Sequence, residues 1–594
     1  MTPARRRVAI AAARVGGFAA SAVVMTFPRV DRLATQLPGD GGDAMFNYWA
    51  LRWGADRLPH LYRGFWSGPI FAGHPRTMAY SETHLGLSPF QWILEHVLNN
   101  PVLAMNLIGL ALWTISCEAT YRLARRITAN PAASLMAALA FTYSTIRLGQ
   151  YFHFHLDVGA LIPLVILLAL RAFDRHRIVD AVGAAVAWAV LTLSSSYYGI
   201  LLALTLGVLG VGQLLRQRGQ LRRPLVAVGA MVMTMGVLVG PAAAQYLELQ
   251  RDPAFRRNYE PQYAARLGDF RHPSPSNRLL AGAPILRNDS AARSSENYAF
   301  PGLVTLIAGA VGLVVFGRRP SWQRAGLDPD RRRELALIAL AGVLALLLAF
   351  GRELSILGWH PPALYDLAVH LPGFRGVRVL VRMVVLFQLA LALMAAVGLH
   401  RLLLAARQPT TQRLIAGGAA ALVLIESALT ITTVSVPRVH TDDADEFLSH
   451  RPAGVVLELP LPDPRIGAAW AYTEGPRMAL ATDDFHPRVN GYSGFYPPEY
   501  PALAATLEEL PGADAQAEVC ALHVRYLVLR TAAVPTGSAG LDALVTGAGT
   551  GALDGERADL IALGMVHELR VDPVNDAVVV ELDPSCGSSK VKSG

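Results

Sequence analysis

Apolar residues in this chain come in long blocks, and short polar segments separate them. Crossing hydrocarbon takes about 20 mostly apolar residues, because every backbone polar group must be bonded within the helix. Eleven stretches have that character, near 8–28, 102–121, 131–148, 156–173, 179–195, 197–215, 225–246, 299–317, 334–351, 379–400 and 413–433. The apolar run from 179 to 215 is too long for one crossing, and Ser194-Ser195-Ser196-Tyr197-Tyr198-Gly199 supplies a break, so it counts as two. Past residue 435 the pattern changes to short β-type runs, Val455–Leu459, Val524–Leu529 and Ala577–Glu581, with helical and Gly/Pro-rich segments between them. The expected architecture is a polytopic α-helical membrane protein of about 11 transmembrane helices over 1–434, followed by an α/β domain over 435–594.

Composition agrees with lipid burial. Of the 594 residues 53% are hydrophobic and 16% charged, where soluble proteins carry about a quarter charged. The formal charge of +8 comes from arginine, since the only lysines are Lys590 and Lys592, a bias that points to a GC-rich bacterial genome. The arginines lie in short clusters with no basic aromatic platform, which argues against nucleic acid as a partner.

Those clusters read as topology signals: Arg5–Arg7, Arg122/Arg125/Arg126, Arg171/Arg175/Arg177, Arg216–Arg223, Arg318–Arg333 and Arg401/Arg407/Arg413. With eleven spans all six fall on one side, the cytoplasmic one. The N-terminus is then cytoplasmic, and its basic start and apolar run to about Met25 form an uncleaved first span rather than a secretory signal. The outer face carries a first loop at 29–101, a turn around Tyr151–Asp157, loops at 247–298 and 352–378, and the C-terminal domain. The arginine-rich 247–298 loop runs against the trend, at a length where the rule loses force. Cys117, Cys520 and Cys586 form no CxxC pair; Cys520 and Cys586 share the outer domain, where they either pair or stay as two buried thiols.

Three polar groups on the outer face could carry chemistry. The first loop opens Asp40-Gly41-Gly42-Asp43 and continues to Tyr48 and Trp49. A carboxylate half shielded by the bilayer can act as a general base on a hydroxyl, glycines admit a ligand, and the aromatics can stack on a sugar ring. A hydrated Gly/Asp turn is the plain alternative. The same loop carries Glu82 and His84, candidate substrate contacts, before an amphipathic segment from Ser88 that would lie along the membrane plane. In the next outer turn, His153, His155 and Asp157 could bind a divalent metal or orient a phosphate; the alternative is interfacial histidines beside a helix N-cap. Arg375, Arg378 and Arg382 stand on the outer side of a span, against the charge trend, where they could hold a lipid phosphate or merely set the helix depth. The Asn490–Glu499 segment either contributes to an acceptor site or is a packed loop.

This layout, a short inner N-terminus, one span, an acidic outer loop, many spans and an outer C-terminal domain, resembles the GT-C superfamily of polyprenyl-phosphate-sugar-dependent membrane glycosyltransferases. Within it, the Leu371–Arg378 segment, the Val455–Leu461 run and Asn490–Pro498 are similar to bacterial YfhO-like proteins. The resemblance implies transfer of a sugar, with inversion, from a polyprenyl-phosphate donor to a glycan, lipid or protein acceptor at the outer face of a bacterial inner membrane. It implies that Asp43, or else Asp40, is the catalytic carboxylate, and that Asp157 is a second acidic residue of the kind some members use with a metal. The Asp-x-x-Asp spacing departs from Asp-x-Asp, so a metal (Mg, Mn or Zn) and no metal both stay open. A transporter or lipid flippase and a non-catalytic scaffold are the rival readings; the former calls for ionisable groups at the bilayer midplane, and the span interiors are nearly free of charge. A reporter fused after Ser435 is expected to read out on the extracytoplasmic side, and a cytoplasmic signal would overturn the topology.

Overall fold

The computed structural model describes residues 2–26, 32–283, 295–371, 373–437, 444–510, 512–530, 572–574 and 577–582. Arg287, Arg293 and Cys586 lie outside the described residues. The chain divides into two compact units, one of residues 1–34 and 84–433 and one of residues 35–83 and 434–594.

The first unit is helical, and each of the eleven apolar stretches is a helix or contains one. Among the described residues, six helices are long and apolar enough to cross a membrane: Ala4–Thr26, Pro101–Thr128, Phe154–Arg175, Ser196–Arg216, Arg222–Leu249 and Leu380–Ala405. Ile178–Thr192 and Leu303–Gly317 are shorter apolar helices; Pro329–Ala349 and Pro409–Ser427 complete the set. The break in the long apolar run falls where the serines are, with one helix ending at Thr192 and the next starting at Ser196. The third stretch departs from a single span: Pro131–Thr142 stops short and a separate turn, Thr145–Leu148, follows it. Helices Leu303–Gly317 and Val384–Ala405 cross at Gly312 and Gly398. A Cβ on either glycine would stand 1.9 Å from a carbonyl oxygen of the other helix, Met394 O or Ala308 O, so only glycine allows this approach.

Four helix ends in this unit are tied by ions. Arg126, near the end of Pro101–Thr128, reaches Glu334 (2.7 Å) and also Asp174; Arg331 reaches Asp174 (3.4 Å); Arg216 stands 3.9 Å from Asp330. Four of the six arginine clusters thereby contribute to the same end of the helices, or flank it, as the charge pattern requires. The segment after His84 forms the helix Ser88–Leu98, which exposes Phe90, Ile93 and Val97 along one face and is amphipathic as expected.

The second unit is built on a mixed four-stranded sheet. Numbering all strands in chain order, Gln36–Pro38 (β1) pairs with Thr433–Ser435 (β2), and Val455–Leu459 (β3), Val524–Arg530 (β4), Asp572–Val574 (β5) and Ala577–Glu581 (β6) form a sheet in the order β3-β4-β6-β5. β3 runs parallel to β4, and β6 is antiparallel to β4 and β5. The three β-type runs of the sequence are thus three of its strands. Cys520 is disulfide-bonded, and Cys117 is a buried free thiol.

The compact units group the chain differently from a single division at 434/435. Most of the first outer loop belongs with the C-terminal segment, because its helix Asp43–Arg57 packs along the helix Ala468–Leu480. Gly475 lets them meet: a Cβ there would lie 2.4 Å from Gly41 O. Backbone bonds continue the junction, Ala72 N to Arg488 O (2.9 Å) and Phe71 N to Asn490 O (3.3 Å).

The centre of the unit holds charge. Glu458, on β3, is fully buried and takes Arg530 at 3.0 Å, Arg477 at 3.5 Å and Arg488; Arg488 also reaches Asp445 (3.2 Å) and Asp484 (3.3 Å). Burial alone would raise the Glu458 carboxyl, but Arg530, Arg488 and Arg477 overcome it and hold the group down to about 2. Breaking such a cluster strands buried carboxylates. Arg488→Met is expected to destabilise the protein by about 3–5 kcal/mol, read as a lower melting temperature of the purified protein; an unchanged melting temperature would show the cluster to be dispensable.

Candidate functional site

The Asp40–Asp43 turn is held from several directions. Asp40 Oδ1 accepts from Gly42 N (3.0 Å), and its Oδ2 accepts from the Tyr472 hydroxyl (3.2 Å). Asp43 opens the helix Asp43–Arg57, where the unpaired backbone N–H groups favour negative charge, and its Oδ1 accepts from the Tyr492 hydroxyl at 2.7 Å. Both carboxylates are half-buried. The loop is therefore a fixed element of the second unit, built with two tyrosines that lie more than 400 residues further along the chain. Tyr492 in turn packs on Phe46 and Trp470, with ring centroids 5.7 and 4.9 Å away.

The four expected substrate contacts are enclosed instead. Tyr48 and Trp49 are buried in the packed helix Asp43–Arg57, and Glu82 and His84 are buried as well. Eleven of the fifteen residues in that helix are buried, so its aromatics serve as core and present no surface for stacking a sugar. His84 has its ring 5.6 Å from Phe154 and 6.3 Å from His155, and burial pushes it down to about 3, so it stays neutral.

A charged cluster sits in the first unit where several helices begin. Arg382 lies in the turn Leu380–Met383 that leads into Val384–Ala405. It is buried and bidentate to Glu296, at 3.1 Å (Nε to Oε2) and 2.5 Å (Nη2 to Oε1). Its two terminal nitrogens also stand 3.2 Å from His155 Nε2 and His153 Nε2, and His153 Nδ1 is 2.9 Å from Gln150 Oε1. The guanidinium thus occupies the nitrogens that a metal would need. Asp157 turns elsewhere, beside the Trp113 indole and in the field of Arg147. The expected metal trio His153, His155 and Asp157 accordingly fails to converge, and no group of three or more His, Cys, Asp or Glu among the described residues is placed to hold a metal ion.

The three arginines of the 375–382 segment separate in the same way. Arg382 is neutralised by Glu296 and is not open to a lipid phosphate as the spacing suggested. Arg375 is exposed, and Arg378 is half-buried over the Tyr263 ring (4.8 Å), with Nη2 3.5 Å from that hydroxyl. Arg257, from the long 247–298 loop, joins them: its N–H bonds Arg375 O (3.1 Å), and burial followed by the repulsion of Arg378 lowers its guanidinium from its ordinary value. Sequence spacing missed Arg257 because it lies more than 100 residues away. It also missed Glu296, Tyr198 and Arg147. Arg147, a charge within an apolar stretch, carried the one signal that could have found it.

A family model described as "Domain of unknown function (DUF6311)" matches residues 87–425, more than half of the chain. No curated protein matches. Among solved structures, the arabinofuranosyltransferase AftD from Mycobacteria is similar at a TM-score of 0.55 and 16% identity, covering 88% of this chain and 35% of AftD. The archaeal oligosaccharyltransferase AglB from Archaeoglobus fulgidus is similar at a TM-score of 0.45 and 12% identity, covering 87% of this chain and 69% of that one. This chain spans about a third of the length of AftD, and at these identities the likeness is one of fold. AftD is a glycosyltransferase, and the fold that this chain shares with it is of the kind expected from the layout. The matching family model carries no YfhO-like description.

Arg382 and Arg378 differ in kind. Arg382→Ala leaves Glu296 buried without its counter-charge and is expected to cost about 3 kcal/mol or more. Arg378→Ala, which breaks no ion pair among the described residues, should leave the melting temperature within about 1 °C, a change of a few tenths of a kcal/mol. Equal effects would contradict this division.

Proposed function

The chain belongs to the DUF6311 family, and we propose that it is a membrane glycosyltransferase that moves a sugar from a polyprenyl-phosphate-linked donor to an extracytoplasmic acceptor. The observation that carries this reading is the setting of Asp43: a half-exposed carboxylate at a helix start, oriented by the Tyr492 hydroxyl, in a chain that shares its fold with an arabinofuranosyltransferase. A carboxylate held this way can take the proton of an attacking hydroxyl.

In the proposed step the acceptor hydroxyl oxygen attacks C1 of the donor sugar and its proton passes to Asp43. The bond from C1 to the phosphate oxygen breaks, the lipid phosphate leaves with the electron pair, and the anomeric centre inverts. In the first unit, Arg378, Arg375 and Arg257 are cations of the kind that can hold a phosphate. Asp40 is the positioning residue of the loop, through its bonds to Gly42 and Tyr472. The acceptor is an envelope glycan, lipid or protein, and the setting is a bacterial inner membrane. The transporter reading loses ground because the buried Arg382–Glu296 pair and the histidines His153 and His155 beside it stand at span starts rather than midway along them.

Asp43→Asn keeps the size and the Tyr492 contact but cannot accept the proton. Sugar transfer from a polyprenyl-phosphate donor in proteoliposomes is expected to fall about 10²–10⁴-fold, with Asp40→Asn falling less. Transfer by Asp43→Asn at the wild-type rate would remove Asp43 as the base.

A further inference from the structure

A small cavity opens in the first unit next to the Arg382–Glu296 pair, and its polar wall consists of Arg147, Gln150, Tyr198, Glu296 and Arg382. Arg147 is its unexplained member. The side chain is only 6% exposed, and its guanidinium stacks on Trp113 and Phe141, 4.8 and 5.0 Å from the ring centroids. Nη1 donates to Ser116 Oγ (2.8 Å) and more distantly to Thr142 O (3.4 Å). Nη2 is buried with no hydrogen-bond partner among the described residues. A buried cationic donor left without an acceptor is costly, and native proteins rarely keep one without a use.

Three further features give the cavity the character of an anion site. Arg147 and Arg382 face it against one carboxylate, Glu296, so its wall carries net positive charge. Two long helices begin beside it, Ser196–Arg216 with Tyr198 in its first turn and Val384–Ala405 with Val385 at its second residue; helix starts concentrate unpaired N–H groups and partial positive charge. Tyr198 and Gln150 add a hydroxyl and an amide as donors. The space admits a group about the size of one water molecule, which suits a single oxygen of a tetrahedral oxyanion. Two guanidiniums make it hostile to a metal cation.

We propose that this cavity binds one oxygen of a phosphate group, through Arg147 Nη2 and the Tyr198 hydroxyl. Two sources share that chemistry: the phosphate of a lipid-linked species and free inorganic phosphate. The lipid source rests on the glycosyltransferase reading above and deepens it, adding a phosphate contact distinct from Arg375 and Arg378. The free-phosphate source does not depend on that reading.

The test is a binding titration with the full-length protein in lipid nanodiscs, using farnesyl phosphate, farnesol and inorganic phosphate as probes and the fluorescence of the tryptophans, Trp113 among them, as readout. Farnesyl phosphate is expected to bind at least about 10-fold more tightly than farnesol, a difference of one charge-assisted bond or more. Arg147→Gln should cut that preference at least about 3-fold, the loss of one charge-assisted bond. Tyr198→Phe, which keeps the ring packing, should weaken phosphate binding about 3–10-fold, the loss of one hydrogen bond; it serves as the second variant if Arg147→Gln does not fold. Farnesol binding should be the same in all three proteins. Tight binding of inorganic phosphate with the same dependence on Arg147 assigns the site to the free ion, and weak binding of it assigns the site to the lipid phosphate. Wild-type binding by both variants, or no preference for farnesyl phosphate over farnesol together with no binding of inorganic phosphate, would overturn the proposal and leave a cavity that holds water. Because binding is read without sugar transfer, lost transfer with intact binding would count against the glycosyltransferase reading and not against this site.

Discussion

The first unit depends on one requirement: a charge carried into an apolar helical bundle must meet its partner there. Arg382 meets it through Glu296, and the pair then decides much else. Glu296 comes from the end of the long 247–298 loop, so that loop is tied to the start of Val384–Ala405. His153 and His155 are drawn to the same guanidinium, which fixes the turn before Ile162–Arg175. Three chain segments far apart in sequence are thus anchored at one place by a single cation. The same physics at the other end of the helices joins Arg126, Asp174, Arg331 and Glu334.

The second unit answers the same requirement differently. Its buried ions sit within a small sheet domain, where Glu458 is compensated by three arginines and Arg488 by three carboxylates. Packing around that cluster brings the first outer loop onto the C-terminal segment, and with it Asp40 and Asp43 acquire Tyr472 and Tyr492. A turn that would be mobile by composition, with two glycines between two aspartates, becomes a rigid element. That rigidity lets Asp43 be considered as a base, since a general base must be held at a defined place.

Burial sorted the candidate residues. Tyr48, Trp49, Glu82 and His84 looked available because their neighbours were polar or glycine-rich, yet all four are enclosed. Arg375, Arg378 and Arg382 looked alike by spacing, yet one is exposed, one lies over a tyrosine ring and one is locked to a glutamate. In each case the missing information was the identity of a partner from a distant segment. Arg257, Glu296 and Tyr492 supply it, and nothing in the local pattern of Asp43 or Arg382 names them.

By itself the sequence determined the helical membrane architecture, the break at Ser194–Gly199, the strand runs at Val455–Leu459, Val524–Leu529 and Ala577–Glu581, and the kind of fold. Those features follow from local rules: the length of apolar runs, the two-residue alternation of strands and the clustering of arginines. Tertiary structure alone decided where the first outer loop belongs, which arginines are neutralised, that His153 and His155 face a guanidinium, and that Arg147 keeps a donor in reserve. These are matters of pairing between residues tens to hundreds of positions apart. A local pattern reports which charges a chain carries; only folding reports which of them remain to be met.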